Sequence, residues 1–133
     1  MSIAPETLIH HARLARQNAY APYSRYPVGA AVLTADGKIF TGSNIENAVY
    51  PLGLCAERVA IFKAVSEGYR DFVAIAVVTE NGGSPCGSCR QVMHEFAPEM
   101  TVFIADDQGH IHRTSVPELL PDSFSAEDLP PNN

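Results

Sequence analysis

The sequence predicts an α/β protein, with a three-layer α/β/α sandwich around a mixed five-stranded sheet. Segments with helical spacing of apolar residues alternate along the chain with short strand-like runs. This alternation is typical of helices that cover both faces of a sheet. The run 72–78 is apolar throughout, as expected of a strand that is covered on both faces. The predicted order of elements is α-β-β-α-β-α-β-β, followed by a short terminal helix.

The N-terminal part begins with a helix over 5–18, which is predicted by four apolar residues that recur at helical spacing. These residues are Leu8, Ala12, Ala15 and Ala19. Turn-forming residues fill 20–27. The small and branched residues of 28–34 predict a strand, and a tight turn at 35–37 joins it to a hairpin partner over 38–43.

The middle of the chain is predicted to be a loop over 44–54 and then a helix over 55–67, which Gly68 is placed to end. The helix is apolar on most of its faces, and we therefore expect it to be buried. Its apolar residues include Val59, Ala60, Ile61, Phe62, Ala64 and Val65. After the apolar strand, a loop over 80–85 leads into a short helix over 87–96.

The C-terminal part is predicted to contain two strands, over 101–105 and 110–115. Ser115 and Glu118 form a capping-box pattern that opens one further helical turn.

The length of 133 residues suits a single domain, which we predict over 1–129 with a flexible tail at 130–133. The net charge of −6 argues against a surface that binds nucleic acid phosphates. No apolar run is long enough to span a membrane, and no secretory signal is visible. A charged fraction of 18%, against roughly 25% in typical domains, favours association of subunits.

All three cysteines lie in two short motifs, Cys55-Ala-Glu and Pro85-Cys-Gly-Ser-Cys, so that Cys55, Cys86 and Cys89 form one candidate metal site. An odd number of cysteines with this spacing favours a metal and a reducing compartment, here the cytoplasm. Three thiolates favour Zn²⁺, with iron as the alternative, and leave the fourth tetrahedral position open for water. His94, five residues after Cys89, is a less favoured fourth ligand.

Two residues beside Cys55 are candidates for the chemistry. Glu57 is the candidate general acid and base, since a carboxylate two residues from a ligand can reach the water without binding the metal. Arg58 lies one helical turn after Cys55, and we expect it to donate hydrogen bonds to thiolate sulfur and so to offset the negative charge of three thiolates. A helix-start glutamate and a surface arginine are the alternative interpretations.

The combination Cys-Ala-Glu with a later Pro-Cys-x-x-Cys is the known signature of zinc deaminases. The chain as a whole resembles the small, homotetrameric type of cytidine deaminase. The blocks that carry the resemblance are Tyr20-Ala-Pro-Tyr-Ser, Val28-Gly-Ala-Ala, Thr41-Gly-Ser-Asn-Ile-Glu-Asn-Ala, Cys55-Ala-Glu-Arg, Pro85-Cys-Gly-Ser-Cys-Arg-Gln and Leu119-Leu-Pro-Asp-Ser-Phe-Ser.

The resemblance implies roles for residues outside the metal motifs. Asn44 and Glu46 match the pair that holds the ribose 3′-hydroxyl, with loop capping as the alternative. Tyr26 stands where the family usually has a phenylalanine that lines the pyrimidine pocket, and its added hydroxyl needs a partner. The backbone N–H of Ala56 is expected to meet the edge of the base.

The resemblance also implies shared active sites. Phe124 and Tyr50 match residues that reach the base and the ribose 5′ side across a subunit boundary, so the active sites of a homotetramer would be shared. For Phe124 the alternative is a core plug near the C-terminus.

The expected reaction is hydrolysis of cytidine and deoxycytidine to uridine and deoxyuridine with release of ammonia, in pyrimidine salvage. Three alternatives stay open: a deaminase of another cytosine-containing compound such as blasticidin S, a structural zinc module without catalysis, and a deaminase of nucleic acids. The sequence leaves open the preference for ribose or deoxyribose.

Overall fold

A mixed sheet of five strands is the centre of the computed structural model, which describes residues 3–131. The strands are β1 (Gly29–Thr34), β2 (Ile39–Ser43), β3 (Phe72–Val78), β4 (Thr101–Ala105) and β5 (Ile111–Ser115). They lie in the order β2-β1-β3-β4-β5. The pair β3–β4 is parallel and the other neighbouring pairs are antiparallel, which confirms the predicted mixed sheet.

Helices cover both faces of this sheet. They are α1 (Pro5–Arg16), α2 (Ala56–Ser66), α3 (Gly87–Phe96) and the short α4 (Val116–Leu119), with 3₁₀ turns at Tyr50–Leu52 and Ala126–Asp128. Helix α1 packs on one face, and α2 and α3 pack on the other. The predicted three-layer α/β/α sandwich is therefore confirmed.

The residues of β1 show how the strands serve two cores at once. Ala30 and Val32 point into the core beneath α2 and α3, whereas Ala31 and Leu33 point into the core beneath α1. All four are buried. Because successive strand residues face opposite sides, a strand between two layers must be apolar along its whole length.

Two glycines allow the helices to approach the sheet closely. A Cβ at Gly29 would lie 2.0 Å from the Ala12 carbonyl oxygen of α1, and one at Gly42 would lie 2.6 Å from the Ala56 carbonyl oxygen of α2. Gly42 matters for the site, because the first turn of α2 carries the first cysteine motif.

The parallel pair explains where the site forms. Strand β3 runs into the loop 79–86, α3 follows, and β4 returns beside β3. The start of α3 therefore lies at the edge of the sheet where β3 ends, and β1 begins at the same edge because Gly29 pairs with Val78. In open α/β sheets this edge is the usual place for ligands.

Most predicted elements are present, and several ends differ by one or two residues. Helix α1 was expected to reach residue 18 but ends at Arg16. The N–H groups of Asn18 and Ala19 donate to the carbonyl oxygens three residues earlier, so the last turn is tightened into a 3₁₀-like form. Strands β1, β2 and β5 begin one residue later than predicted, and α2 is one residue shorter at each end.

The expectation that α2 is buried on most faces is wrong for one side of the helix. Phe62 is 40% exposed, whereas Ala60, Ile61 and Ala64 are buried. The apolar residues of α2 thus extend around more of the helix than the rest of this chain covers.

The C-terminal end is described only in part. Pro130 and Pro131 have no regular structure, and the rest of the predicted tail, Asn132 and Asn133, lies outside the described residues. Within residues 3–131, every helix falls short of the length and apolar character that a membrane span requires.

We expect Gly42→Ala to lower the free energy of unfolding by about 1–3 kcal/mol, because the added methyl group meets backbone atoms of α2 that cannot move independently. Gly87→Ala is the matched control, since a Cβ at Gly87 meets no described atom within 4 Å. Chemical denaturation of the zinc-loaded proteins measures the difference. Equal stability of the two variants would contradict the proposed close contact.

Candidate active site

The starts of α2 and α3 bring the three cysteine sulfurs together. Cys55 is the N-cap of α2, Cys86 is the N-cap of α3, and Cys89 lies in the first turn of α3. The sulfurs of Cys86 and Cys89 are 3.4 Å apart, and those of Cys55 and Cys86 are 3.8 Å apart. All three lie within 4.8 Å of one another.

This cluster fits a zinc ion. Sulfurs bound at about 2.3 Å to one tetrahedral zinc lie roughly 3.8 Å apart, close to the distances between these sulfurs. Helix N-termini also favour thiolates, because the free N–H groups and the helix dipole stabilise negative charge. The amide of Cys89 already donates to the sulfur of Cys86, at 3.4 Å.

The ionisation of the thiols also favours a cation. The pKa of Cys55 is lowered to about 5, chiefly by a hydrogen bond from the Cys89 thiol and then by Arg58. Conversely, the pKa of Cys89 is raised by its hydrogen bond to Cys55 and by burial. The protein groups alone therefore stabilise the Cys55 thiolate, and a bound dication would favour ionisation of Cys89.

Arg58 makes the contact that its position predicts. Its Nη2 donates to the sulfur of Cys55 at 3.2 Å. Its Nε is buried and has no hydrogen-bond partner among residues 3–131. The guanidinium is thus held beside the sulfur cluster, and the interpretation as a free surface arginine is wrong.

Glu57 is the buried carboxyl of the site. Its side chain is at the second position of α2 and is 4% exposed. Burial raises the pKa of Glu57 to about 7, and the neighbouring Cys55 contributes to the rise. A bound dication would favour the carboxylate form. Such a group can both accept and donate a proton near neutral pH.

A cavity of about 650 Å³ opens onto this cluster, a volume that suits a small organic ligand. Its lining includes Cys55, Glu57 and Cys86, together with Asn44 and Glu46. Ala56 also lines it. Because Ala56 is the first residue of α2, helix geometry leaves its N–H without an intrahelical partner, free to meet a ligand.

Asn44 and Glu46 brace the loop around this cavity as well as lining it. The side chain of Asn44 donates to the carbonyl of Tyr26 and accepts from the amide of Val28, both at 2.9 Å. Glu46 accepts from the amides of Tyr23 and Ser24 and from the hydroxyl of Ser24, and these hydrogen bonds lower its pKa.

Loop capping is therefore present at both residues. It leaves one N–H of Asn44 and lone pairs of Glu46 for a ligand.

The three aromatic candidates lie in different places. Tyr26 lines the cavity, and its hydroxyl donates to Asn81 Oδ1 at 2.6 Å. Tyr50 is on a 3₁₀ turn at the cavity rim and is 75% exposed. Phe124 is absent from the cavity lining of this chain and is 57% exposed, so the alternative that it plugs the core is wrong.

The structure adds a residue to which the sequence analysis gave no role. Arg90 donates to the Pro85 carbonyl at 2.7 Å, to Ser84 Oγ at 2.9 Å and to the Leu119 carbonyl at 2.8 Å, and so it holds the segment before Cys86. The position of Arg90, directly after the second cysteine motif, is the feature of the sequence that could have indicated this role. His94, in contrast, pairs with Ser123 and lies outside the sulfur cluster.

Comparison with known proteins gives consistent matches. Residues 3–105 match the model of the cytidine and deoxycytidylate deaminase zinc-binding region. A cytidine deaminase of Sporosarcina psychrophila is 53% identical over 93% of each chain, and one of Halalkalibacterium halodurans is 55% identical over 93% of this chain and 96% of its own. A crystal structure of cytidine deaminase from Burkholderia pseudomallei superimposes with a TM-score of 0.89 at 51% identity, covering 92% of this chain and 100% of its own.

We expect Cys89→Ser to remove most of the bound zinc, because a buried hydroxyl is a poor replacement for a thiolate ligand. Ser88→Ala, next to it on the exposed side of the same helix turn, should keep the zinc content of the parent. Elemental analysis after dialysis measures both. Full zinc content in Cys89→Ser would place the metal elsewhere.

Proposed function

The chain belongs to the family of cytidine and deoxycytidylate deaminases, and from that premise we propose that it hydrolyses cytidine and deoxycytidine to uridine and deoxyuridine. The observation that carries the proposal is the buried carboxyl of Glu57 beside three clustered sulfurs, in the lining of a cavity with room for a nucleoside. Cys55, Cys86 and Cys89 would hold the zinc, which would act as a Lewis acid and lower the pKa of water to about 7.

Glu57 is the proton carrier of the proposed reaction. Its carboxylate accepts a proton from the attacking water and passes it to N3 of the pyrimidine while the new C–O bond forms at C4. It then takes the second proton of that oxygen and delivers it to the amino group as the C4–N4 bond breaks. Water and cytidine are consumed, ammonia and uridine are released, and the carboxylate is regenerated.

The rest of the cavity orients the nucleoside in this proposal. The N–H of Ala56 meets the edge of the base, and the ring of Tyr26 covers its face. Asn44 and Glu46 hold the ribose 3′-hydroxyl, since an amide N–H can donate to that hydroxyl while a carboxylate accepts from it. The distance between this pair and the sulfur cluster then sets which atom of the base reaches Glu57.

We further propose a homotetramer whose active sites are shared. Large apolar side chains are exposed around the cavity mouth and along α2, and such surfaces are typical of protein interfaces. They are Tyr23, Val49, Tyr50, Leu52, Leu54 and Phe62. In this assembly Phe124 acts at the site of a neighbour, and Tyr50 reaches a neighbour's site from the rim of its own chain's cavity. Sedimentation equilibrium measures the assembly directly.

The cellular setting is also part of the proposal. We place the protein in the cytoplasm, because its three thiols are free and must stay reduced to bind metal. There the reaction would serve pyrimidine salvage, with residues 1–129 as the single catalytic domain.

Glu57→Gln tests the function and the role of the carboxyl together. We expect ammonia release from cytidine to fall by roughly 10²–10⁴-fold, because the amide cannot carry the proton, while zinc content is unchanged. Glu67→Gln, at the exposed C-terminal end of the same helix, should retain parental activity.

Blasticidin S is the comparison substrate, and faster turnover of it than of cytidine would move the assignment to the antibiotic. Equal activity of Glu57→Gln and the parent would remove Glu57 from the mechanism. Bound zinc without turnover of either compound would favour a structural zinc module.

Arg58→Ala should lower turnover by about tenfold and leave most zinc bound. The variant loses the hydrogen bond from Arg58 that offsets negative charge on the Cys55 thiolate, and the metal would then be a weaker Lewis acid. Arg70→Ala is the matched control, since Arg70 is exposed and donates to carbonyls near the far end of α2. Steady-state kinetics with zinc assays distinguish the two effects. Unchanged turnover in Arg58→Ala would remove the electrostatic role.

A further inference from the structure

We propose that Tyr26 is a positioning residue whose hydroxyl ties the segment held by Asn44 and Glu46 to the loop that leads to Cys86. The role deepens the proposed function in part, since it concerns the same cavity. It also predicts that the hydroxyl of Tyr26 slows the loss of the metal, whatever the substrate is. Four observations support it.

The hydroxyl of Tyr26 holds the loop that follows β3. It donates to Asn81 Oδ1 at 2.6 Å, and Thr79 Oγ1 lies 3.5 Å from the same oxygen. Thr79, which is buried, accepts from the amide of Gly83 at 2.9 Å. Residues 79–83 therefore form a braced turn, and Cys86 follows it after two further residues.

The backbone of Tyr26 is held by a second set of hydrogen bonds. Its carbonyl accepts from Asn44 Nδ2 at 2.9 Å, and its amide donates to Ser24 Oγ at 3.1 Å. The hydroxyl of Ser24 in turn donates to Glu46. One side chain thus joins the two residues proposed to hold the sugar to the segment that delivers a metal ligand.

The space around the hydroxyl is matched to glycine at position 83. A Cβ at Gly83 would lie 2.4 Å from the Tyr26 hydroxyl oxygen but 3.5 Å from the ring carbon that bears it. With tyrosine at 26, an alanine at 83 therefore requires the hydroxyl to move from its position, whereas a phenylalanine would leave ordinary contact distance to that alanine. The two residues are fitted to each other through the hydroxyl alone.

The loop has a second attachment on its other side. Arg90 holds Ser84 and Pro85, immediately before Cys86. Removal of the tyrosine hydroxyl would leave Thr79 and Arg90 as side-chain braces of this loop, and Asn81 would lose its shortest hydrogen bond. We infer that Cys86 would then sample more positions, which weakens its hold on the metal and misaligns the reacting end of the cavity.

The first experiment is a double-mutant cycle with Tyr26→Phe and Asn81→Ala. Asn81 is absent from the cavity lining, so it has no direct route to a bound nucleoside. We expect each variant to release zinc to a chelator about fivefold faster and to lower kcat/KM for cytidine about fivefold, the size of one hydrogen bond. The double variant should match the single ones, because both remove the same link.

Two results would overturn the proposal. One is a double variant with about the product of the single effects, roughly 25-fold, since independent sites are additive. The other is an unchanged Asn81→Ala beside an impaired Tyr26→Phe, which would mean that the hydroxyl acts on the substrate directly. Tyr69→Phe is the matched control, since Tyr69 packs on Phe40 outside the cavity.

A second experiment uses the fit to Gly83. Gly83→Ala should accelerate zinc release in the parent and add nothing in the Tyr26→Phe background, where the clashing oxygen is gone. Equal acceleration of zinc release by Gly83→Ala in both backgrounds would contradict the steric fit between Tyr26 and Gly83. Zinc release is measured without substrate. If the protein proves inactive on cytidine, the proposed function is wrong, but the zinc-release experiment still tests the role of Tyr26.

Discussion

Three sulfurs from two different helices must meet within the reach of one ion, and the rest of the structure serves that requirement. Cys55 and Cys86 each end a loop and cap a helix, so the first turns of α2 and α3 have to lie side by side at one edge of the sheet. Gly42 lets α2 approach the sheet, and the parallel pair β3–β4 sets the start of α3 at the same edge. The fold thus fixes the N-termini of α2 and α3 relative to each other.

Charge is the second constraint at this edge, because three cysteine sulfurs and a carboxyl are gathered there, of which Cys89 and Glu57 are buried. Two helix N-termini, one guanidinium and a metal dication balance them. Glu57 gains its reactivity from the same arrangement: burial disfavours its charge, and a bound cation favours it. The same charges that favour metal binding therefore also set the pKa of Glu57.

The cavity is built from loops that perform two tasks each. Asn44 and Glu46 satisfy backbone amides of the 20–28 turn and still present free hydrogen-bonding capacity to the interior. Arg90 joins the segment before Cys86 to Leu119 near the C-terminal end of the chain. A loop that is braced in this way is ordered before the ligand arrives, so each contact removes freedom that substrate binding would otherwise have to remove.

The sequence by itself determined the existence and order of the helices and strands and the grouping of Cys55, Cys86, Cys89 with Glu57. These signals are local, because periodicity, turn residues and ligand spacing are properties of short segments. Only the tertiary structure decided the end of α1, the exposure of Phe62 and the partner of the Tyr26 hydroxyl. Tyr26 and Asn81 are 55 positions apart, and a hydrogen bond between them depends on how loops pack across the sheet, which no local pattern encodes.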